Sequence, residues 1–86
     1  MKIQSLLIIY HINKESDKMK ITESFIKKDI EGYGLSQFYT EEGMWSITDN
    51  WDGTYNIALF KDDDAMETHF DYTMEKVLER VNAGIN

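Results

Sequence analysis

Apolar side chains near the start of the chain predict a strand followed by a short helix. Residues 2–12 carry isoleucine and leucine on both alternating faces, which is typical of a strand that is buried on both sides, or buried on one side and paired with another chain. Thr22 stands where a helix cap is expected, and Gly32 or Gly34 would end that helix. Its apolar positions are Phe25, Ile26, Ile30 and Tyr33.

Three further strands are predicted in the middle of the chain, over residues 35–40, 44–50 and 54–60. The segments between them are short, and each ends in a glycine, Gly43 or Gly53. Because short loops join neighbouring antiparallel strands, this order predicts a three-stranded antiparallel meander.

The length of the second loop decides which residues of the meander face each other. If residues 51–53 form a three-residue loop, Ile47 lies opposite Ile57 and Trp45 lies opposite Leu59, so that apolar residues share one face. With a two-residue turn, apolar and polar residues would mix on both faces. The three-residue loop is therefore predicted.

The same reasoning makes separate predictions for two more aromatic residues. Treating residues 41–43 as the first loop places Tyr39 beside Trp45 on the buried face. Trp51 falls at the tip of the second hairpin, where we expect it to be exposed to solvent.

Residues 64–83 predict an amphipathic helix that packs on the sheet, which completes an α+β fold. Its core-facing positions are Met66, Phe70, Met74, Val77 and Val81. Its second stripe is acidic and consists of Asp64, Glu67, Asp71, Glu75 and Glu79. The first two of these acids have the spacing of a capping box. No basic residue follows an acid of this stripe by four positions, so mutual repulsion should cost about 1 kcal/mol.

Length and composition narrow the class of protein. The 86 residues suit a single domain, 1–86, and contain neither cysteine nor proline, which excludes disulfides, thiolate metal sites and cysteine nucleophiles. With 16 acidic and 9 basic side chains the formal charge is −7, which argues against direct binding to nucleic acid or to an anionic membrane. Since no segment has the length of a membrane span, we expect a cytoplasmic protein.

The acidic residues are concentrated in one part of the chain. Between residues 41 and 75 there are ten carboxylates and one basic residue, Lys61. In a meander, the glutamates of the first loop lie at the same end of the sheet as residues 62–64, whereas the acids near Trp51 lie at the other end. Helix capping and solubility account for part of this charge, but an acidic band beside an exposed aromatic residue also suits a basic partner protein. The candidate partner-binding residues are Glu41, Glu42, Asp49, Trp51, Asp52, Asp62, Asp63, Asp64, Glu67, Asp71, Glu75 and Glu79.

Patterns for catalysis or cofactor binding are incomplete. A calcium-binding loop starting at Thr48 fails because Leu59 stands where a bidentate glutamate is required. Gly32 and Gly34 lack the third glycine of a phosphate-binding loop, and neither histidine has a second histidine three or four residues away. These patterns predict a protein that is not an enzyme and that has no cofactor or metal.

The order of elements from Thr22 to Asn82, a helix, a three-stranded meander with an Asp-Gly loop and an acidic helix, resembles the small acidic anti-CRISPR proteins that inhibit CRISPR nucleases. It resembles more loosely other phage-encoded inhibitors that mimic DNA. The resemblance implies that carboxylates stand in for phosphates and occlude the DNA-binding cleft of a Cas-type or restriction-type effector. The residues alone leave an alternative, a general interaction module or a homodimer paired through strand 2–12.

Overall fold

The computed structural model describes residues 20–85, which form an α+β fold of two helices and a four-stranded antiparallel sheet. The elements follow in the order α1 (Glu23–Tyr33), β1 (Ser36–Thr40), β2 (Gly43–Asp49), β3 (Tyr55–Lys61), β4 (Asp64–Tyr72) and α2 (Met74–Ala83). Each strand pairs with its neighbour in sequence, so the order in the sheet is β1-β2-β3-β4. The α+β class is confirmed, whereas the predicted strand 2–12 lies outside the described residues.

Helix α1 begins and ends where local signals predicted. The Thr22 hydroxyl accepts a hydrogen bond from the Phe25 N–H at 3.1 Å. At the other end, Gly34 has φ 87° and its N–H donates to the Ile30 carbonyl at 2.8 Å. Ile26 and Ile30 are buried and Phe25 packs against the core, whereas Tyr33, which was predicted on the same stripe, is 46% exposed.

The register of β2 and β3 is the predicted one. Ile47 pairs with Ile57 and Trp45 pairs with Leu59, and all four side chains are buried. The loop between the strands ends at Gly53, which has φ 92°, the left-handed conformation that a three-residue hairpin loop requires. Apolar and polar residues therefore sort onto opposite faces of this hairpin.

The predicted register of β1 and β2 is wrong by one residue. Phe38 lies opposite Trp45, while Tyr39 is 61% exposed on the other face of the sheet. The turn contains only residues 41–42, and Gly43 is already the first residue of β2. Gly43 has φ 139°, and a Cβ atom there would collide with a backbone carbonyl of β3. This glycine therefore permits close approach of two strands, and it does not belong to the turn.

The prediction of a single helix over residues 64–83 is also wrong. The first part of this segment is β4, and both Asp64 and Glu67 lie in that strand, so the predicted capping box is absent. Met66 and Phe70 were expected in the core but are 61% and 67% exposed. Their four-residue spacing matches the period of a helix, although both residues lie in a strand.

The turn before β4 explains why this segment forms a strand. Asp62 and Asp63 have φ values of 54° and 70°, which is the conformation of the two-residue hairpin turn that aspartate favours. The turn lets β4 pair with β3 along its length. The backbone N–H and C=O groups on this edge of β3 therefore find hydrogen-bond partners, which they would lack if residues 64–72 formed a helix. Thr73 then caps α2, because its hydroxyl accepts the Lys76 N–H at 3.3 Å.

Both helices pack on the same face of the sheet. The core consists of Ile21, Ile26, Ile30, Phe38, Trp45, Ile47, Tyr55, Ile57, Leu59, Val77, Val81 and Ile85. Val77 and Val81 face it as predicted, and Met74 is partly buried against it. Asn82 of α2 holds the segment before α1, since its side chain accepts the Ile21 N–H at 2.7 Å and donates to the Ile21 carbonyl at 2.9 Å.

Candidate protein-binding surface

The tip of the β2–β3 hairpin presents an exposed tryptophan on a fixed backbone. Trp51 is 78% exposed, as predicted. Its φ of 64° is a left-handed conformation, which costs about 1 to 2 kcal/mol for a residue with a side chain. The Trp51 N–H donates to Asp49 Oδ1 at 2.7 Å, and the Asn50 N–H donates to the Thr54 carbonyl at 3.0 Å. These bonds fix the backbone from which the indole projects into solvent.

Asp52 stabilises the same loop. Its Oδ1 atom accepts hydrogen bonds from the Thr54 hydroxyl and from the Thr54 N–H, the latter at 3.0 Å. These two bonds, the hydroxyl bond first, lower the pKa of the Asp52 carboxyl below its ordinary value. Asp52 therefore remains ionised beside Trp51 at neutral pH.

Asp71 reaches the hairpin tip from β4. It has φ 60° at an irregular step in the pairing of β3 and β4, and its N–H donates to Asn56 Oδ1 at 3.1 Å. The Asn50 side chain donates to Asp71 Oδ1 at 3.3 Å. The sequence had placed this acid on a helical ridge, but β4 brings it to the hairpin. We call the exposed tryptophan and the three carboxylates at this end of the sheet the tip surface: Asp49, Trp51, Asp52 and Asp71.

An open cleft of about 440 Å³ separates the tip surface from α1. Its lining residues are Lys27, Ile30, Glu31, Asp49, Trp51 and Tyr55. The Lys27 ammonium lies 2.9 Å from Glu23 Oε2 on the same helix, and this hydrogen bond raises the pKa of Lys27. Glu31 was not among the predicted site residues, because the packing of α1 beside the hairpin tip is a tertiary contact.

The opposite end of the sheet carries the second group of predicted carboxylates. The β1–β2 and β3–β4 turns both lie there, so Glu41, Asp62, Asp63 and Asp64 are exposed together with Lys61. By strand rise this end lies about 20 Å from the tip surface. The two acidic groups expected at opposite ends of the meander are therefore present.

Two of the predicted partner-binding carboxylates are engaged inside the fold. Glu67 accepts Arg80 Nε–H at Oε2, 2.6 Å, and an Arg80 Nη2–H at Oε1, 2.8 Å. Glu42 Oε1 also accepts from Arg80 Nη2 at 2.8 Å, and the guanidinium lies 5.0 Å from the centre of the Trp45 ring. We call this cluster the Arg80 clamp: Glu42, Trp45, Glu67 and Arg80.

The charges of the Arg80 clamp stabilise each other. The hydrogen bonds from Arg80 lower the pKa of Glu67 to about 2 although partial burial opposes them, and a hydrogen bond from His69 adds to the effect. The two glutamates raise the pKa of Arg80 above its ordinary value. A single helix over residues 64–83 would have kept Glu67 away from Arg80, so the sequence offered no signal for this cluster. Because both glutamates are paired with the cation of Arg80, they are not part of the surface proposed for a partner.

The remaining predicted acids, Glu75 and Glu79, are exposed on α2. They do not continue a ridge from Asp71, because Thr73 separates the strand from the helix. His69 also has structural partners: its Nε2 atom lies 2.6 Å from Glu67 Oε2, and its ring stacks on Tyr72 with 4.7 Å between ring centres. Within residues 20–85, no group of three or more histidine or carboxylate side chains is placed to hold a metal ion.

Comparison with known proteins identifies no relative of this chain. No protein-family model matches the chain, and neither a curated protein nor a solved structure is significantly similar to it. In the part of the chain that the structure describes, neither helix is long and apolar enough to cross a membrane.

Proposed function

We propose that this protein is a non-enzymatic, acidic binding protein that docks its tip surface on the basic, nucleic-acid-binding surface of a partner enzyme and so inhibits that enzyme. One observation carries the proposal: Trp51 is 78% exposed among three carboxylates, on a backbone held by hydrogen bonds. An exposed side chain of this size forgoes roughly 2 kcal/mol that burial would contribute. A fold that holds it in water at a strained backbone position is typical of a binding anchor.

A basic partner offers the complementary groups. Carboxylates form bidentate hydrogen bonds with guanidinium groups, and tryptophan and arginine are the residues that most often dominate interface energies. The formal charge of −7 repels nucleic acid, so the partner is a protein whose own ligand is an anion. Cas-type and restriction-type effectors are the class that the resemblance suggested.

Mimicry of DNA would need more than the tip surface. Duplex DNA carries one charge per about 1.7 Å, whereas the two acidic ends of this sheet are about 20 Å apart. Two separated clusters would therefore replace a few phosphates at separate points, and would not replace a continuous strand. In this proposal the tip surface makes the main contact and the opposite end adds attraction that salt screens.

A competition assay tests the proposal. A candidate effector is loaded with a fluorescent DNA duplex, and the release of DNA by this protein is followed by anisotropy. We expect Trp51→Ala to raise the concentration needed for release about 30-fold, the size of a typical hot spot. The triple variant Asp49→Asn, Asp52→Asn, Asp71→Asn keeps an acceptor oxygen for each loop bond but removes three charges, and it should release DNA less effectively at low salt.

The matched control is Asp62→Asn, Asp63→Asn, Asp64→Asn at the opposite end, which removes the same charge from residues whose turn asparagine also tolerates. A larger effect of the tip variant supports a specific surface. If both triple variants lose the same amount of DNA-releasing activity and Trp51→Ala loses none, only net charge matters. The proposal that the tip surface makes the main contact would then be wrong. If this protein releases DNA from no basic nucleic-acid-binding protein, the proposed inhibitor function is wrong.

A second candidate, a homodimer or general interaction module, is favoured by the open face of the sheet. Tyr39 and Phe70 are 61% and 67% exposed on the side away from the helices. They lie on the two edge strands of the described sheet, β1 and β4, and edge strands are where a second chain can pair. Sedimentation velocity separates the candidates. A dimer that Phe70→Ser converts to monomer would favour the module, provided that Trp51→Ala has no effect on the binding of any partner.

A further inference from the structure

We propose that the cleft between the hairpin tip and α1 is a binding slot for an arginine side chain of the partner protein. The inference rests on the proposed function and specifies its contact chemistry. It requires that the guest be cationic, planar and long enough to reach past the indole of Trp51. Arginine is the one protein side chain with all three properties.

The walls of the cleft match the two parts of an arginine side chain. Ile30 and Tyr55 are buried, each with 7% exposure, and line the cleft with apolar surface for the methylene groups. Trp51 stands beside them with most of its indole in solvent, where a guanidinium can stack on the ring face. The cleft volume of about 440 Å³ accommodates such a side chain with room for water.

The charges that line the cleft select a cation. Glu31 and Asp49 contribute two carboxylates. Lys27 also lines the cleft; its ammonium is hydrogen-bonded to Glu23 at 2.9 Å and is also attracted by Asp49, so the lining carries two carboxylates against one partly compensated cation. Asp49 Oδ1 accepts the backbone N–H of Trp51, which fixes this carboxylate next to the backbone from which the indole projects. A guanidinium can therefore stack on the ring and face a carboxylate at the same time.

Two-dimensional ¹H–¹⁵N spectra offer a direct test with short peptides as probes. The chain has two tryptophans, and their environments differ: Trp51 is exposed, whereas the Trp45 indole nitrogen is buried and has no hydrogen-bond partner among residues 20–85. The probes are acetyl-Gly-Arg-Gly-amide and its lysine and citrulline counterparts. We expect the arginine peptide to shift the Trp51 indole signal while that of Trp45 stays in place. Trp51→Phe identifies the signal by its disappearance.

The relative affinities decide between arginine recognition and simpler effects. We expect the citrulline peptide, which has the shape but no charge, to bind at least about tenfold more weakly, and the lysine peptide to bind several-fold more weakly. Glu31→Gln should weaken the arginine peptide several-fold, whereas the control Glu75→Gln on α2 should not. Equal affinity for arginine and citrulline, equal affinity for arginine and lysine, or an unmoved Trp51 signal would each overturn the slot.

This experiment can fail separately from the proposed function. If the arginine peptide binds as expected but the protein releases DNA from no effector, the slot stands and the inhibitor proposal falls. If Trp51→Ala abolishes inhibition while the arginine peptide leaves the Trp51 signal unmoved, the tip surface stands and the slot falls.

Discussion

Removing the charge of Glu67 should destabilise the protein at neutral pH. Glu67→Gln keeps the shape of the side chain and one acceptor oxygen, but it removes the ionised group that Arg80 binds at 2.6 and 2.8 Å. The pKa of Glu67 in the folded protein is about 2, against an ordinary value of 4.5. Since one pKa unit corresponds to about 1.4 kcal/mol, the ionised carboxylate contributes at most about 3 kcal/mol to the free energy of unfolding.

The sign of the pKa shift fixes the pH range in which this stabilisation disappears. The folded-state pKa is the lower one, so the stabilisation is complete above the unfolded pKa of 4.5 and is lost as the pH falls toward 2. We expect wild type and Glu67→Gln to differ by about 2 to 3 kcal/mol at pH 7, by about 1 kcal/mol at pH 3 and by less than about 0.5 kcal/mol at pH 2.

Urea unfolding followed by tryptophan fluorescence measures these differences at each pH. The control is Glu79→Gln on α2, an exposed acid outside the Arg80 clamp, which should stay within about 0.5 kcal/mol of wild type throughout. A difference between wild type and Glu67→Gln that does not change from pH 7 to pH 2 would refute the electrostatic account of the clamp. Equal profiles for both variants would refute it as well, because net charge alone would then explain the loss.

Three further predictions test the fold through the free energy of unfolding, and two of them include a control variant. Trp45→Ala should cost about 3 to 5 kcal/mol because it empties the centre of the core, whereas Trp51→Ala should cost less than about 1 kcal/mol; similar losses would contradict their opposite placement. Gly43→Ala should cost more than about 2 kcal/mol through its positive φ and its collision with β3, while Gly32→Ala, which meets nothing within 4 Å, should be neutral or stabilising. Thr73→Ala should cost about 1 kcal/mol by removing the cap of α2, and no loss would mean that the bond to the Lys76 N–H is unimportant.

Features that depend on a few consecutive residues were predictable from the sequence. The cap at Thr22 and the end of α1 at Gly34 are set by neighbouring atoms of the same segment. The β2–β3 register followed because only one loop length placed Ile47 opposite Ile57, and the exposure of Trp51 followed from that register. In each case the alternatives were few and the apolar pattern chose among them.

Features that depend on contacts between distant segments were not predictable. The role of Gly43 requires knowing that a carbonyl of β3 lies against it. Residues 64–72 fit a helical period, and only pairing with β3 through the turn at Asp62 favours a strand. The same error hid the Arg80 clamp and placed Asp71 on the wrong element, so only the structure shows that Asp71 joins Asp49, Trp51 and Asp52 at the hairpin tip.

The order of the strands in the sheet has a consequence for how the protein folds. Because β1, β2, β3 and β4 pair only with sequence neighbours within the described chain, the sheet can form by closing three short loops, which is fast and costs little chain entropy. The bonds of α2 span much longer separations, 38 residues from Glu42 to Arg80 and 61 from Ile21 to Asn82. We therefore expect hairpins to form early and α2 to dock last, and hydrogen exchange under native conditions to show α2 opening while the central strands stay protected.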